Sequence, residues 1–307
     1  MSKNKKVAIF KLDTDDFEIF FNHQLVEHGC TVISFSSLLK DNTDPQKLEF
    51  SLKKILSLKL EEYDIIIVFE ILKIVPLIRL KIGHKARLIL WNWNKKTIQV
   101  AKREKLVSLF CEIWTFDPND AKEFGWMLNN QFYMPQRMAK YENNNLQKRA
   151  FCVCLDKSRY QLIKKIRKQL LDNNVYCDFI LVKDGSSNYD PEDSEWVREM
   201  GIPYGEILHR VSMSDILIDF VKPGQSGLTM RTMEALFYKK KIITNNISIL
   251  EYPFYNDDNI LIMDHMSENE LSNFLQSDYV DIKREYLIPY TYESWIDNFF
   301  KNEETRI

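Results

Sequence analysis

The stretch Asp64-Ile65-Ile66-Ile67-Val68-Phe69 has no polar residue after its first position. A strand with one wet face alternates apolar and polar residues. A run this uniform belongs to a strand covered on both faces, as in a parallel sheet flanked by helices. Val7–Phe10, Thr31–Phe35, Arg87–Trp91 and Glu112–Phe116 read as further strands, with Phe17–His28, Gln46–Leu58 and Thr97–Lys105 as helices among them. Asp117 is placed to cap another helix, with Pro118 at its first position. This β/α alternation predicts an open, doubly wound parallel sheet.

The alternation stops at Asn129–Gln147, a stretch rich in Asn, Gln and Tyr that contains Pro135 and reads as a connector. It then restarts. Phe151–Leu155, Tyr176–Val182, Ile216–Phe220, Lys241–Thr244 and Asn259–Met263 read as strands. Ser158–Leu171, Tyr204–Val211, Gly227–Tyr238, Ser267–Leu275 and Tyr292–Asn302 read as helices, and Asp184–Asp193 as a polar loop. The expectation is α/β: two Rossmann-like doubly wound domains facing a cleft, residues 1–145 and 146–280, with 281–307 ending in a helix that packs back toward the first. Ligands of such sheets sit at the carboxyl ends of the strands.

Composition narrows the chemistry. The chain of 307 residues is 45% hydrophobic, enough to build two cores and too much for a disordered chain. Lys plus Arg number 42 against 44 Asp plus Glu, so a basic nucleic-acid binder is not expected. Only 8 glycines occur, where average usage would give roughly 21. Neither G-x-G-x-x-G nor the Walker A pattern is present, which argues against a nicotinamide dehydrogenase and a P-loop NTPase. Five scattered histidines form no H-E-x-x-H, so a zinc hydrolase is not expected. The basic Met1–Lys6 precedes only the short apolar run Val7–Phe10, so no secretory leader is read there, and no stretch approaches the length of a membrane span. Five cysteines without a C-x-x-C pair then predict reduced thiols in a cytoplasm. Cys152 and Cys154 share one side of a strand and read as small buried residues.

The most informative segment is Pro223-Gly224-Gln225-Ser226-Gly227-Leu228-Thr229-Met230-Arg231-Thr232-Met233-Glu234. Two of the scarce glycines lie between a strand and a helix, where they permit a tight turn and close approach of a ligand. A helix starting near Ser226 or Gly227 would aim free N–H groups and its positive dipole end at an anion, and Arg231 would add a cation. Glu234, three residues on, could grip hydroxyls at a fixed distance from a phosphate, as in a ribose beside a diphosphate. The same residues also fit a plain strand–turn–helix, with Ser226 as N-cap and Arg231–Glu234 as a surface ion pair.

Gly227-Leu228-Thr229, Glu234-Ala235-Leu236 and Lys240-Lys241-Ile242-Ile243-Thr244-Asn245 resemble the donor-site segment of bacterial glycosyltransferases of the two-Rossmann GT-B architecture. Phe116-Asp117-Pro118-Asn119-Asp120-Ala121-Lys122-Glu123-Phe124-Gly125 with Gln131-Phe132-Tyr133, and Asp156-Lys157-Ser158-Arg159, are similar to segments of lipopolysaccharide-core and capsule glycosyltransferases. The resemblance spans most of residues 110–265. It implies a nucleoside-diphosphate-sugar donor held by the second domain, with Glu234 on the ribose and Gln225, Ser226, Gly227, Leu228, Thr229 and Arg231 near the phosphates. Lys157 and Arg159 would neutralise the leaving diphosphate. They also fit an ordinary solvated helix start.

Many retaining members carry a Glu eight positions before the ribose Glu, where this chain has Ser226, which tilts the expectation toward inversion. An inverting transferase needs a base for the acceptor hydroxyl. The first domain, expected to bind the acceptor, offers Asp13 and Asp15 in the loop after its first strand, with Asp16 read as the helix cap and Glu70 as second choice. All three aspartates could equally cap and solvate the helix start. Trp91-Asn92-Trp93-Asn94 could line an acceptor pocket or form an aromatic core edge.

The implied function is inverting transfer of a sugar, a deoxyhexose such as rhamnose among the options, to a lipopolysaccharide-core, lipid-linked or surface-polysaccharide acceptor. No essential metal and no cofactor beyond the donor are expected. The alternatives are a non-catalytic two-lobed binding protein and a sugar-nucleotide epimerase. Basic pairs such as Lys53-Lys54, Lys95-Lys96 and Lys102-Arg103 read as solvated faces. If those of the first half gather with aromatics, they would suit peripheral contact with the inner membrane surface.

Overall fold

Ile65–Phe69 is a strand with every residue buried, at the centre of the first of two parallel sheets. The computed structural model describes residues 5–41, 47–137 and 147–301. They divide into two compact units, the first formed by Met1–Gln131 with Glu293–Ile307, the second by Phe132–Tyr292. The boundary expected at 145/146 lies outside the described residues.

The first unit runs β1 (Val7–Lys11), α1 (Asp16–Glu27), β2 (Thr31–Ser34), α2 (Leu52–Leu56), β3 (Ile65–Phe69), α3 (Val75–Ile82), β4 (Arg87–Asn92), α4 (Ile98–Val107), β5 (Glu112–Thr115), α5 (Pro118–Phe124) and β6 (Met127–Leu128). Its six strands lie in the order β2-β1-β3-β4-β5-β6, all parallel. The order reverses between β1 and β3, so the loops leaving those two strands diverge and open a crevice at their carboxyl ends.

The second unit runs β7 (Arg149–Leu155), α6 (Tyr160–Asp172), β8 (Tyr176–Val182), β9 (Val197–Arg198), α7 (Tyr204–Met213), β10 (Ile216–Asp219), α8 (Met230–Phe237), β11 (Lys241–Thr244), β12 (Ile260–Ile262), α9 (Glu268–Gln276) and α10 (Arg284–Leu287). Its parallel sheet has the order β12-β11-β10-β7-β8-β9 and reverses between β7 and β10. In this unit Tyr133 bridges to Thr291, and the Tyr133 N–H donates to the Tyr290 carbonyl at 2.8 Å.

A last helix, α11 (Tyr292–Lys301), returns the chain to the first unit. Trp295 and Phe299 stack edge-on against Trp91, with ring centroids 5.5 and 6.1 Å away, and Phe299 meets Trp114 at 4.9 Å. Burying aromatic rings of this size contributes on the order of 2–3 kcal/mol each. Arg87 ties the helix to β4 by donating to the Phe299 carbonyl.

Several elements differ from expectation. The helix read over Gln46–Leu58 is confined to Leu52–Leu56, because Phe50 pairs antiparallel with Leu39 and keeps the chain extended up to Ser51 (Gln46 lies outside the described residues). Helix α3 has no counterpart in the sequence reading. Asp15, not Asp16, caps α1, accepting the Glu18 N–H at 2.8 Å. The expected Asp117 cap is present, with its carboxylate accepting from Asp120 N at 3.0 Å. Lys95 and Lys96 are not solvated. They pair inwardly with Asp120 and Glu70.

Candidate functional site

The carboxyl ends of β7 and β10 bring together two segments that the sequence singled out separately. The first is the turn after β7. Asp156, fully buried, accepts the N–H groups of Arg159 at 2.8 Å and Tyr160 at 2.7 Å and the Tyr189 hydroxyl at 2.7 Å. Burial works to raise its pKa, but hydrogen bonds from hydroxyls and from these amides outweigh it and hold the carboxyl below its usual range. The turn is strained. Lys157 and Ser158 both have left-handed backbones, with φ of 45° and 63°. Its amides are held from the loop after β8, Lys157 N by Asp184 at 2.8 Å and Ser158 N by Ser186 at 2.7 Å. The sequence reads that loop only as polar and assigns it no part in the site. Lys157 is exposed, and the Arg159 guanidinium lies 5.8 Å over the Phe220 ring, which belongs to the second segment.

That segment runs from Phe220 to the start of α8. Gly224, at φ 74°, needs the left-handed conformation that glycine adopts freely, and the Gln225 N–H closes the turn on the Lys222 carbonyl at 3.0 Å. The residues after β11 hold the loop. Asn245 accepts Val221 N at 2.7 Å, and Asn246 donates to the Ser226 and Gly227 carbonyls at 3.5 and 3.4 Å. Pro223 and Gly224 are exposed, whereas Ser226, Gly227 and Leu228 are buried and Leu228 packs into the core. Leu228 therefore has only backbone to offer a ligand.

The helix begins later than expected. Its cap is Thr229, not Ser226, and its first residue is Met230. Its N-terminus already faces a carboxylate. Asp219, at the end of β10, is buried and accepts the hydroxyls of Thr229 at 2.7 Å, Thr244 at 3.0 Å and Thr232 at 3.2 Å. Burial raises its pKa against these bonds. No sequence pattern flagged Asp219, although its position beside a Thr-rich turn was visible.

Arg231 and Glu234 pair as spacing predicted, but inside the protein and not on its surface. Glu234 is 1% exposed, with one oxygen taken by Arg231 and the other by the Tyr204 hydroxyl at 2.9 Å. Burial raises the Glu234 pKa, and the nearby Arg231 charge opposes this. Tyr204 in turn lies 3.4 Å from the Tyr133 hydroxyl.

In the first unit, Asp13, Asp15 and Glu70 lie beside the β1/β3 crevice. Asp13 is bonded to Ser36, whose N–H donates at 3.3 Å and whose hydroxyl also donates, while Asp15 is engaged as the cap. Glu70 has a left-handed backbone, φ 65°, accepts from the Trp93 N–H and pairs with Lys96. Trp91 is wholly buried. Trp93 packs 4.6 Å from Phe21 and donates its indole N–H to Gln131 at 2.7 Å. A cavity of about 400 Å³ lies elsewhere in the second unit, lined by β12 and α9 at the sheet edge away from β7, and none of the candidate site residues lines it. Among the described residues no three His, Cys, Asp or Glu lie close enough to hold a metal ion.

No family profile matches the chain, and no curated protein matches it in sequence. Solved structures do share its fold. The glycotransferase of kitacinnamycin aligns over 97% of this chain and 98% of its own at 11% identity, with a TM-score of 0.50. TarM aligns over 82% of this chain and 58% of its own at 12% identity, TM-score 0.55. The DNA-modifying enzyme β-glucosyltransferase, solved with and without uridine diphosphoglucose, aligns over 96% and 98% at 12% identity, TM-score 0.52. At such identities the likeness is one of fold. The chain has the GT-B fold: two Rossmann-like units, each a doubly wound parallel sheet with its own switch point.

Proposed function

We propose that this chain is a glycosyltransferase that takes a nucleoside-diphosphate sugar in its second unit. The observation that carries the reading is the convergence of Lys157, Arg159 and the Gln225–Thr229 turn on the β7/β10 switch point, in a fold shared with sugar-nucleotide enzymes. A diphosphate there would meet two cations, Lys157 and Arg159, beside the Gln225–Thr229 turn. Glu234 takes the ribose in this reading by exchanging the Tyr204 hydroxyl for a ribose hydroxyl, one O–H donor for another, while Arg231 keeps the carboxylate oriented.

The acceptor's oxygen attacks the anomeric carbon as the bond to the diphosphate breaks, and the acceptor's proton passes to a carboxylate of the first unit. The candidates for that role are Asp13, whose two oxygens accept from Ser36, and Asp15, which caps α1 through one oxygen. Ser226, where many retaining relatives carry Glu, favours inversion. The acceptor we favour is a lipopolysaccharide-core or lipid-linked surface glycan, and the donor a deoxyhexose nucleotide such as dTDP-rhamnose, on the resemblance of residues 110–265. Lys157 and Arg159 take the place that a metal ion occupies in metal-dependent transferases.

A thermal-shift screen against UDP-, GDP-, ADP- and dTDP-sugars tests the reading. One nucleotide class should stabilise the protein, and Lys157→Ala with Arg159→Ala should abolish the shift without lowering the unliganded Tm by more than a few degrees. Turnover of the same donor should require an acceptor. Turnover without acceptor would point to an epimerase, and binding without turnover against crude lipopolysaccharide to a binding protein.

A further inference from the structure

The end of α4 and the turn that follows carry an apolar tip inside a basic collar. Leu109 is 86% exposed, Leu106 71% and Phe110 38%, within five consecutive positions. Single exposed apolar residues are ordinary, but three side chains this large on one turn are not. Lys102, Arg103 and Lys105 are exposed on the same helix, and among the described residues none of the three takes part in an ion pair. The one acid between Ile98 and Phe110 is Glu104, which is fully buried, as are Ala101 and Val107 on the face packed against the sheet. The outer face thus carries cations and large apolar side chains, with the neutral Gln99 and Ser108 and no acid.

The turn is firmly mounted. Arg79 of α3 donates to the Phe110 carbonyl at 2.6 Å and to the Gly83 and Ala86 carbonyls at 2.5 and 3.3 Å, tying the tip to the neighbouring α3 turn. Such a mount fixes the backbone of the turn from which Phe110 projects. Helix α4 has ten residues and so cannot span a bilayer, and among the described residues no helix is long and apolar enough to do so.

We propose that this face docks on an anionic lipid surface, with Leu106, Leu109 and Phe110 entering the headgroup boundary and Lys102, Arg103 and Lys105 meeting lipid phosphates. Charge complementarity selects that occupant. A second copy of the chain would set three cations against three cations, and a neutral protein groove would leave them unmatched. The two contributions are separable. Cations near an anionic surface each tighten binding about fivefold and are screened by salt, whereas insertion of apolar tips is not. The inference stands on surface chemistry and does not depend on the donor-site reading.

Vesicle co-sedimentation tests it. The protein should pellet with vesicles of phosphatidylcholine containing a quarter phosphatidylglycerol and stay in solution with pure phosphatidylcholine. Raising salt to about 0.5 M should weaken binding at least tenfold. Leu109→Asp should reduce partitioning at least tenfold, and Lys102→Gln with Arg103→Gln by about twenty-fivefold. Neither should change the Tm, since both sites are exposed. Met200→Asp, at an exposed residue of the second unit, is the control and should bind as the parent does. No sedimentation with anionic vesicles, equal loss in the control, or a dimer broken by Leu109→Asp would each overturn the proposal. Nucleotide binding in the same preparation is read separately, so failure here leaves the donor site standing.

Discussion

Thr229 donates its hydroxyl hydrogen to the Asp219 carboxylate at 2.7 Å and accepts the N–H of Thr232 at 3.0 Å. One side chain thus caps α8 and fixes the helix to the end of β10. Thr229→Val keeps the shape but removes the cap and one of the hydroxyls on a buried carboxylate. The expected loss is roughly 2–4 kcal/mol, summing a cap and an unsatisfied buried acceptor. Thr229→Ser should restore most of it. Urea unfolding of the two variants checks this, and equal stability of Thr229→Val and the parent would show that the Asp219 cluster contributes little.

Short β-rich runs alternating with amphipathic stretches made ten of the strands legible, most plainly β1 and β3, whose uniform apolar runs fit burial on both faces. The two-residue strands β6 and β9 were not legible, since two residues carry no periodicity. The start of α8 was misread because Ser226, Gly227 and Thr229 all suit a cap, and only the tertiary pull of Asp219 selects Thr229. The pairing of Arg231 with Glu234 followed from their spacing. Its burial did not, because Tyr204, which closes over Glu234, lies thirty residues away in sequence. In the same way, spacing could not show that Lys95 and Lys96 turn inward, because their partners Asp120, in α5, and Glu70, after β3, are about 25 residues away in sequence.

Glu104 makes stability depend on pH in one direction. It is fully buried, and burial raises its pKa to about 7 despite the attraction of Lys96, 3.8 Å away, and a hydrogen bond from Asn92 at 2.8 Å. An acid whose folded pKa lies above its unfolded value destabilises the fold when ionised. Its contribution should therefore improve as pH falls from about 7 toward 4.5. Glu104→Gln should be more stable than the parent at pH 8 by roughly 1–3 kcal/mol, with the gap closing by pH 5. Chemical denaturation at the two pH values decides it, and a variant less stable at pH 8 would mean that the Lys96 pair outweighs burial.

Lys11 should act in the opposite sense. It is 1% exposed at the end of β1, its ammonium lies 5.0 Å over Trp93 and 5.3 Å over Phe21, and it pairs with Glu18. Burial lowers its pKa to about 7 against the pull of Asp15 and Glu70. A base whose folded pKa lies below its unfolded value destabilises the fold when protonated. That penalty should be full below pH 7 and relieved as pH rises toward 10.5. Lys11→Met, with similar volume and no charge, should match or exceed the parent's stability by up to about 2 kcal/mol at pH 6, and the difference should shrink by pH 9. Glu18 retains partial contact with water and can hydrate once its partner is gone. A loss above about 2 kcal/mol at pH 6 would show that the ion pair dominates.

Tyr204 and Glu234 allow the donor reading to be tested against a purely structural role. If a ribose hydroxyl replaces the Tyr204 hydroxyl on Glu234, then Tyr204→Phe removes a competitor and leaves a buried acceptor in need of a donor. That variant should lose roughly 1–3 kcal/mol of stability without ligand. It should nevertheless bind the stabilising nucleotide as tightly as the parent or several-fold more tightly. Glu234→Gln keeps the volume but weakens acceptance of two hydroxyls and leaves the buried Arg231 charge without its partner. Nucleotide affinity should fall at least tenfold, about 1.4 kcal/mol or more. Isothermal titration of the three proteins with the same nucleotide separates the cases. Parallel losses in both variants would mark Tyr204 and Glu234 as one structural unit, whereas a loss confined to Glu234→Gln would place the carboxylate on the ligand.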